Sequence, residues 1–156
     1  MLEFAAILNR RNNPIRTGKR GRRRAPLVHG ELPRIVVLKK VLIVDDSPAQ
    51  VKLMQSLLEH EGYQSFGLND PRRVEETIAT LHPSVILLDV VMPERNGFQV
   101  CRELKGSAEF QSIPVILVTS KDTASDKYWG EQQGADAYVT KPFTREELLR
   151  AVRRFA

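Results

Sequence analysis

The sequence is poor in the residues that build disulfides, histidine-rich metal centres and membrane spans. Its 156 residues include one cysteine, Cys101, which excludes an internal disulfide and suits a reducing, cytoplasmic compartment. Three histidines are scattered along the chain without metal-ligand spacing: His29, His60 and His82. No apolar run approaches the roughly 18 residues of a spanning helix, so we expect no membrane insertion.

Positive charge is concentrated near the amino terminus. Residues 1 to 38 hold nine basic and two acidic residues, a net charge of +7, whereas the remaining chain holds fifteen basic and seventeen acidic residues, a net charge of −2. The segment from Arg10 to Arg24 has almost no apolar residues and cannot bury enough surface to fold alone. We therefore predict a basic, disordered extension over residues 1–35 and one folded domain over residues 36–156, with no output domain after it.

Three interpretations of the basic extension are open. Its charge could neutralise several phosphates, which predicts salt-sensitive, non-specific binding to nucleic acid or to another acidic surface. No aromatic residue for base stacking lies between Arg10 and Arg24, so sequence-specific recognition is not expected. The extension could instead be an organellar leader, although residues 1 to 46 contain no serine. In the third interpretation, translation starts near Val36 and the extension is not made.

The rest of the chain alternates short apolar runs with amphipathic segments. Ser47 followed by Pro48 predicts a helix start, and Gly62 and Gly134 predict helix ends. Strand-like apolar runs rich in β-branched residues and leucine, without in–out alternation, are typical of buried parallel strands. The pattern predicts an α/β fold, a doubly wound five-stranded parallel sheet with five helices. The predicted helices cover residues 47–60, 71–81, 97–105, 122–133 and 144–155.

Charged and hydroxyl-bearing residues follow four of the predicted strands. Asp45 and Asp46 end the first strand, Asp89 ends the third, Thr119 ends the fourth and Lys141 follows the fifth. Functional crevices of doubly wound sheets lie at the carboxyl ends of the strands, so these side chains are expected to converge if strands one and three are neighbours. A cluster of carboxylates favours a hard cation such as Mg²⁺. That cation, with the lysine, would offset the repulsion between the adjacent aspartates.

These residues, in this order, resemble the receiver domain of response regulators in two-component signalling. The resemblance lies in "VDDS", "LLDVVMPERNGF", "PVILVTSK" and "GADAYVTKPF", and it covers roughly residues 36 to 156. The intervals agree as well, with 30 residues from Asp89 to Thr119 and 52 from Asp89 to Lys141. The resemblance implies a flavodoxin-like sheet with strand order 2-1-3-4-5.

The resemblance also implies roles for the acidic residues. Asp89 would be the phosphoacceptor that takes a phosphoryl group from a phosphohistidine of a sensor histidine kinase or a phosphotransfer domain. Asp46, Asp89 and the backbone carbonyl of Val91 would ligate Mg²⁺ directly, and Asp45 would act mainly through water. The protein would catalyse its own phosphorylation and slow dephosphorylation without being an enzyme in the usual sense.

Four further residues receive roles from the same resemblance. Lys141 would pair with the aspartyl phosphate, and a cis peptide bond before Pro142 would aim it at the site. The hydroxyl of Thr119 would hydrogen-bond the phosphoryl group, and Tyr138 would then turn inward as the second part of the switch. The signal would pass to an unidentified downstream protein that binds the face formed by helix four, strand five and helix five.

Within the family, residues 119–143 look most like stand-alone receivers of twitching-motility and chemotaxis-like systems. We interpret Tyr128 and Trp129, in the fourth predicted helix, as packing residues rather than partner anchors, and Cys101 as a core residue of helix three. A remote alternative is a phosphohydrolase of the haloacid-dehalogenase kind, which also uses a strand-end aspartate. Such enzymes need an acid two residues after the nucleophile, and Val91 stands at that place.

Overall fold

The computed structural model describes residues 36–156, and the predicted basic extension over residues 1–35 lies outside this part. Five parallel strands form one sheet in the order β2-β1-β3-β4-β5, so the predicted fold and strand order are confirmed. Their bounds are β1 Lys40–Val44, β2 Gln64–Leu68, β3 Val85–Leu88, β4 Val115–Thr119 and β5 Ala137–Thr140. None of the helices in residues 36–156 is long and apolar enough to cross a membrane.

Each strand is followed by a helix. The helices are α1 Pro48–His60, α2 Val74–Leu81, α3 Gly97–Lys105, α4 Ala124–Gln132 and α5 Arg145–Phe155. Ser47 caps α1 as predicted, because its hydroxyl accepts a hydrogen bond from the backbone N–H of Gln50. The second predicted helix differs at its start, where Pro71–Arg73 is a 3₁₀ turn. The carboxylate of Asp70 accepts the N–H of Arg72 two residues on, and this short cap favours the tighter turn.

The core has two layers, one on each face of the sheet. Alternate residues of the central strands point to opposite faces, which is why β1, β3 and β4 are buried over almost their whole length. One layer packs the sheet against α2 and α3 and includes Cys101, as predicted for that residue. The other layer packs the sheet against α1 and α5. Helix α4 adds no buried apolar side chain to either layer, because its buried residue is Gly130.

The two central strands set the site in place. Val44 of β1 pairs with Leu88 of β3, so the next residues, Asp45 and Asp89, leave the sheet side by side. The backbone N–H of Asp45 donates to Leu68 in β2, and the N–H of Asp89 donates to Val44 in β1. Both aspartates are therefore held at the carboxyl edge by sheet hydrogen bonds on their main chains.

Candidate functional site

Three carboxylates meet at the carboxyl edge of the sheet. Asp45, Asp46 and Asp89 each offer an oxygen, and these oxygens lie within 4.8 Å of one another. Asp45 and Asp89 are buried, whereas Asp46 is exposed to solvent. The sequence predicted this convergence from the strand ends, and the adjacency of β1 and β3 produces it.

Lys141 supplies the positive charge that faces the acidic cluster. Its Nζ lies 2.6 Å from Oδ2 of Asp45 and 3.5 Å from Oδ2 of Asp89. The Lys141–Pro142 peptide bond is cis. Because one ammonium contacts two buried carboxylates, it offsets part of the repulsion between them.

Asp45 is held by hydrogen bonds to both its side chain and its main chain. Oδ1 accepts the backbone N–H of Ser47 at 2.9 Å, and Oδ2 accepts Lys141. The side-chain amide of Asn69, the first residue after β2, donates to the backbone carbonyl of Asp45 at 2.9 Å. Asn69 is not among the predicted site residues, because the sequence gives no signal for it beyond its place at a strand end.

Asp89 lies in a less polar environment than an exposed aspartate. Burial raises the pKa of the Asp89 carboxyl above its usual value, and the nearby Asp45 carboxylate adds to the rise. The Lys141 charge and the N–H of Val90, which donates to Oδ1 at 2.8 Å, oppose it. A further positive charge near the site would therefore stabilise the ionised form of Asp89.

The loop between β3 and α3 closes directly over Asp89. The N–H of Gly97 donates to the carbonyl of Val90 at 2.8 Å, which joins the two ends of the loop. A Cβ atom on Gly97 would lie 2.1 Å from the carbonyl oxygen of Asp89, closer than any side chain allows. Gly97 is therefore required by close packing against the backbone of the acidic site.

Thr119 and Tyr138 contact the same loop beyond β4. The hydroxyl of the fully buried Thr119 accepts the N–H of Lys121 at 3.4 Å. The hydroxyl of Tyr138 donates to the carbonyl of Lys121 at 2.6 Å. Burial, reinforced by Asp126 and Asp122, raises the pKa of Tyr138 to about 12, so this hydroxyl stays a donor. The two predicted switch residues thus share one partner residue.

Two predicted features stand apart from the cluster. The side chain of Val91 is exposed, and a role for its carbonyl stays a prediction.

The packing interpretation of Tyr128 and Trp129 is wrong, because these side chains are 61% and 49% exposed. Helix α4 lies against the sheet through Gly130. Because adjacent residues of a helix point in directions about 100° apart, Tyr128 and Trp129 do not share the direction of Gly130.

The donor set fits Mg²⁺. Carboxylate oxygens are the ligands this hard cation prefers, and the exposure of Asp46 leaves the cluster open to the waters that Mg²⁺ retains. The lone thiol in the described residues, Cys101, is buried on the α3 side of the sheet and is not a ligand candidate. The pKa of that thiol is raised to about 11 by burial.

Comparisons with known proteins agree with this geometry. A family model described as response regulator receiver domain matches residues 41–153. Protein PilH of Pseudomonas aeruginosa is 42% identical over 115 residues, which span 74% of this chain and 95% of PilH. Protein PilG of the same organism is 39% identical over 114 residues, 73% of this chain and 84% of PilG. The solved structure of the chemotaxis protein CheY4 of Vibrio cholerae has a TM-score of 0.72 at 28% identity, covering 77% of this chain and 100% of that chain.

Proposed function

The chain belongs to the response regulator receiver domain family, and from that membership we propose that it accepts a phosphoryl group on Asp89 and signals through phosphorylation-dependent protein binding. The donor is a phosphohistidine of a sensor histidine kinase or of a phosphotransfer domain. The observation that carries the proposal is the convergence of Asp45, Asp46 and Asp89 within 4.8 Å, with the Lys141 ammonium against two of them.

The transfer needs few protein groups. The Asp89 carboxylate attacks phosphorus and forms an O–P bond, while the P–N bond to the donor imidazole breaks and leaves its electron pair on the nitrogen. Little covalent help is required beyond alignment and charge neutralisation. Lys141, 3.5 Å from the attacking carboxylate, supplies positive charge, and the buried position of Asp89 limits competing water.

Asp46, Asp89 and the Val91 carbonyl are the groups we propose to hold Mg²⁺ directly, with Asp45 acting through water. When bound, the cation neutralises charge on the phosphoryl oxygens. Lys141 contacts Asp45 more closely than Asp89, at 2.6 Å against 3.5 Å. Phosphorylation of Asp89 adds negative charge at that residue. The added charge favours a closer approach of the Lys141 ammonium to the aspartyl phosphate.

The output follows from the loop shared by Thr119 and Tyr138. The Thr119 hydroxyl hydrogen-bonds the phosphoryl group, which takes it away from Lys121, and Tyr138 then gives up its own bond to Lys121 and turns inward. The changed surface of α4, β5 and α5 binds a downstream protein. Similarity to PilH and PilG supports a pathway of the twitching-motility or chemotaxis-like kind, in the cytoplasm.

Phosphotransfer from a small phosphodonor such as acetyl phosphate tests the proposal. We expect intact-mass spectrometry to show one added phosphoryl group on the wild type in Mg²⁺ and none after chelation by EDTA. Asp89→Asn should show none in either condition, because the amide is not a nucleophile for phosphorus. The exposed Asp122→Asn is the matched control and should be labelled like the wild type. Labelling of Asp89→Asn at the wild-type level would overturn the assignment.

A further inference from the structure

Arg95, in the loop between β3 and α3, joins three parts of the chain. Its side chain is 13% exposed. Nη1 donates to the carbonyl of Pro71 at 3.0 Å and to Glu75 at 2.9 Å, and Nη2 forms ion pairs with Glu75 and Glu103. One guanidinium thus ties the loop to the 3₁₀ turn, to α2 and to α3. The pKa of the Glu75 carboxyl is lowered, chiefly by its hydrogen bond from Arg95.

The loop that Arg95 anchors contains a residue in an unfavourable backbone conformation. Glu94 has a φ of +69°, in the left-handed region, which is unfavourable for a residue with a Cβ. Its side chain pairs with the exposed Arg72 at 3.1 Å, a contact that contributes little by itself. A conformation of this kind persists where the surroundings hold it, and the next residue, Arg95, provides four contacts to Pro71, Glu75 and Glu103 that can do so.

A change in this loop reaches the acidic site through the backbone. The loop starts at Asp89, and its end is fastened to its start by the hydrogen bond from Gly97 to Val90. Gly97 also packs directly against the carbonyl of Asp89. Only one residue, Asn96, separates Arg95 from this contact. If Arg95 is released, Glu94 can leave its left-handed conformation, and we expect Gly97 to move with respect to Asp89.

We propose that Arg95 is a positioning residue of the phosphorylation site. Its contacts to Pro71, Glu75 and Glu103 hold the segment from Asp89 to Val91 in the geometry that binds the cation before the cation arrives. This inference rests on the proposed function, because it assumes that the acidic cluster binds Mg²⁺. It goes beyond that function because Arg95 touches none of the three carboxylates of the cluster and acts through the loop.

Magnesium binding, measured by titration calorimetry at constant ionic strength, is the first test. We expect Arg95→Gln to weaken Mg²⁺ binding about tenfold, the lower end of the range for residues that orient metal ligands. Arg153→Gln is the matched control. Arg153 lies in the last turn of α5 and, like Arg95, pairs with two glutamates, Glu61 and Glu146. It should change the affinity less than twofold, as expected for an exposed ion pair.

Amide hydrogen exchange of the metal-free protein separates positioning from general destabilisation. The Gly97 N–H, bonded to Val90 in the loop, should exchange faster in Arg95→Gln than in the wild type. The Asp89 N–H, bonded to Val44 in the sheet, should keep its wild-type rate. Equal acceleration at both amides would mean that Arg95 contributes only to global stability, and the proposal would be abandoned.

The outcomes separate this inference from the proposed function. If the wild type fails to bind Mg²⁺, the proposed function fails first. If the wild type binds Mg²⁺ but Arg95→Gln and Arg153→Gln bind it equally well, the inference alone is wrong. Should Arg95→Gln not fold, Glu75→Gln replaces it in both measurements, because it keeps an acceptor for Arg95 while removing one charge. It is expected to weaken Mg²⁺ binding more than Arg153→Gln does, and an equal affinity would likewise overturn the inference.

Discussion

Asp45 and Asp46 are neighbours in sequence but have different surroundings. The carboxylate of Asp45 is buried and accepts hydrogen bonds from Ser47 and Lys141, whereas Asp46 is exposed and has no hydrogen-bond partner for its side chain in residues 36–156. A buried carboxylate needs such partners, because an unpaired one costs several kcal/mol. Asp45 is therefore a carboxylate held in place by hydrogen bonds, and Asp46 is a carboxylate that is available to a ligand. This combination suits the proposed cation site.

Gly97 provides a residue-scale prediction. In Gly97→Ala the added Cβ would lie 2.1 Å from the carbonyl oxygen of Asp89, and because that atom belongs to the backbone it cannot rotate away. We expect the free energy of unfolding to fall by about 1–3 kcal/mol, the usual cost of overpacking, and phosphorylation by acetyl phosphate to slow. Urea denaturation and intact-mass kinetics measure the two effects.

Gly106→Ala is the control for that substitution. Gly106 has a helical φ of −83°, and its nearest neighbour would be 3.3 Å from the new Cβ, so little change in stability or phosphorylation is expected. If Gly97→Ala proved as stable and as reactive as Gly106→Ala, close packing of Gly97 against Asp89 would not be required.

The residues that carry charge or a hydroxyl at the strand ends could be found from the sequence, but their supporting residues could not. The former follow apolar runs that mark strands, and parallel strands bring their carboxyl ends to one edge. Asn69 contacts a residue 24 positions away, and Arg95 contacts Glu75 20 positions away. In the sequence they are ordinary polar loop residues, and their partners depend on the path of loops that no periodicity specifies.

At the scale of elements, α4 differs from the other helices. It buries Gly130, whereas α5 buries Leu148, Leu149 and Val152. Gly130 lets α4 approach closely, since a Cβ there would lie 3.0–3.2 Å from the side chains of Leu117 and Tyr138. A helix with so little buried apolar surface can shift at low cost, which suits its proposed place in the output face.

The capping boxes of α4 and α5 test this difference. Thr144 and Glu147 form a capping box at the start of α5, and Thr123 and Asp126 form one at the start of α4. We expect Thr144→Ala to lower the global free energy of unfolding by about 1 kcal/mol, because α5 unfolds with the core. Thr123→Ala should lower it less, since α4 can open locally. Urea denaturation measures both, with Thr144→Ser as the control that keeps the capping hydroxyl.

A loss from Thr123→Ala as large as that from Thr144→Ala would contradict this view of α4. It would mean that α4 melts together with the core rather than ahead of it.

At the scale of the whole molecule, pattern and resemblance contributed different parts of the predicted fold. The apolar runs and helical spacings predicted five parallel strands and five helices from the residues alone. The strand order came from the resemblance, because a helical crossover of similar length can lead to either side of the first strand. The sheet confirms the order, and with it the adjacency of β1 and β3 that brings Asp89 beside Asp45.

The acidic edge of the sheet is expected to make the stability of the whole domain depend on pH and on the proposed cation. The pKa of Asp89 is raised in the folded state by burial. A carboxyl with a raised folded-state pKa binds its proton more tightly when folded, so its contribution to stability is present at low pH and is lost as pH rises through the folded-state pKa. In its ionised form Asp89 therefore destabilises the metal-free fold, and a bound cation would offset the charge that the proton otherwise removes.

Mg²⁺ and the Asp89→Asn substitution are each expected to raise the free energy of unfolding. Their effects should not be additive. In EDTA at neutral pH, Asp89→Asn should be more stable to urea than the wild type, because the amide carries no charge into the buried site. Mg²⁺ at 100 times its dissociation constant should stabilise the wild type by about 2.7 kcal/mol and Asp89→Asn by much less. Lowering the pH through the folded-state pKa of Asp89 should narrow the difference between the two metal-free proteins. Equal stabilisation of both proteins by Mg²⁺ would show that Asp89 is not part of the cation site.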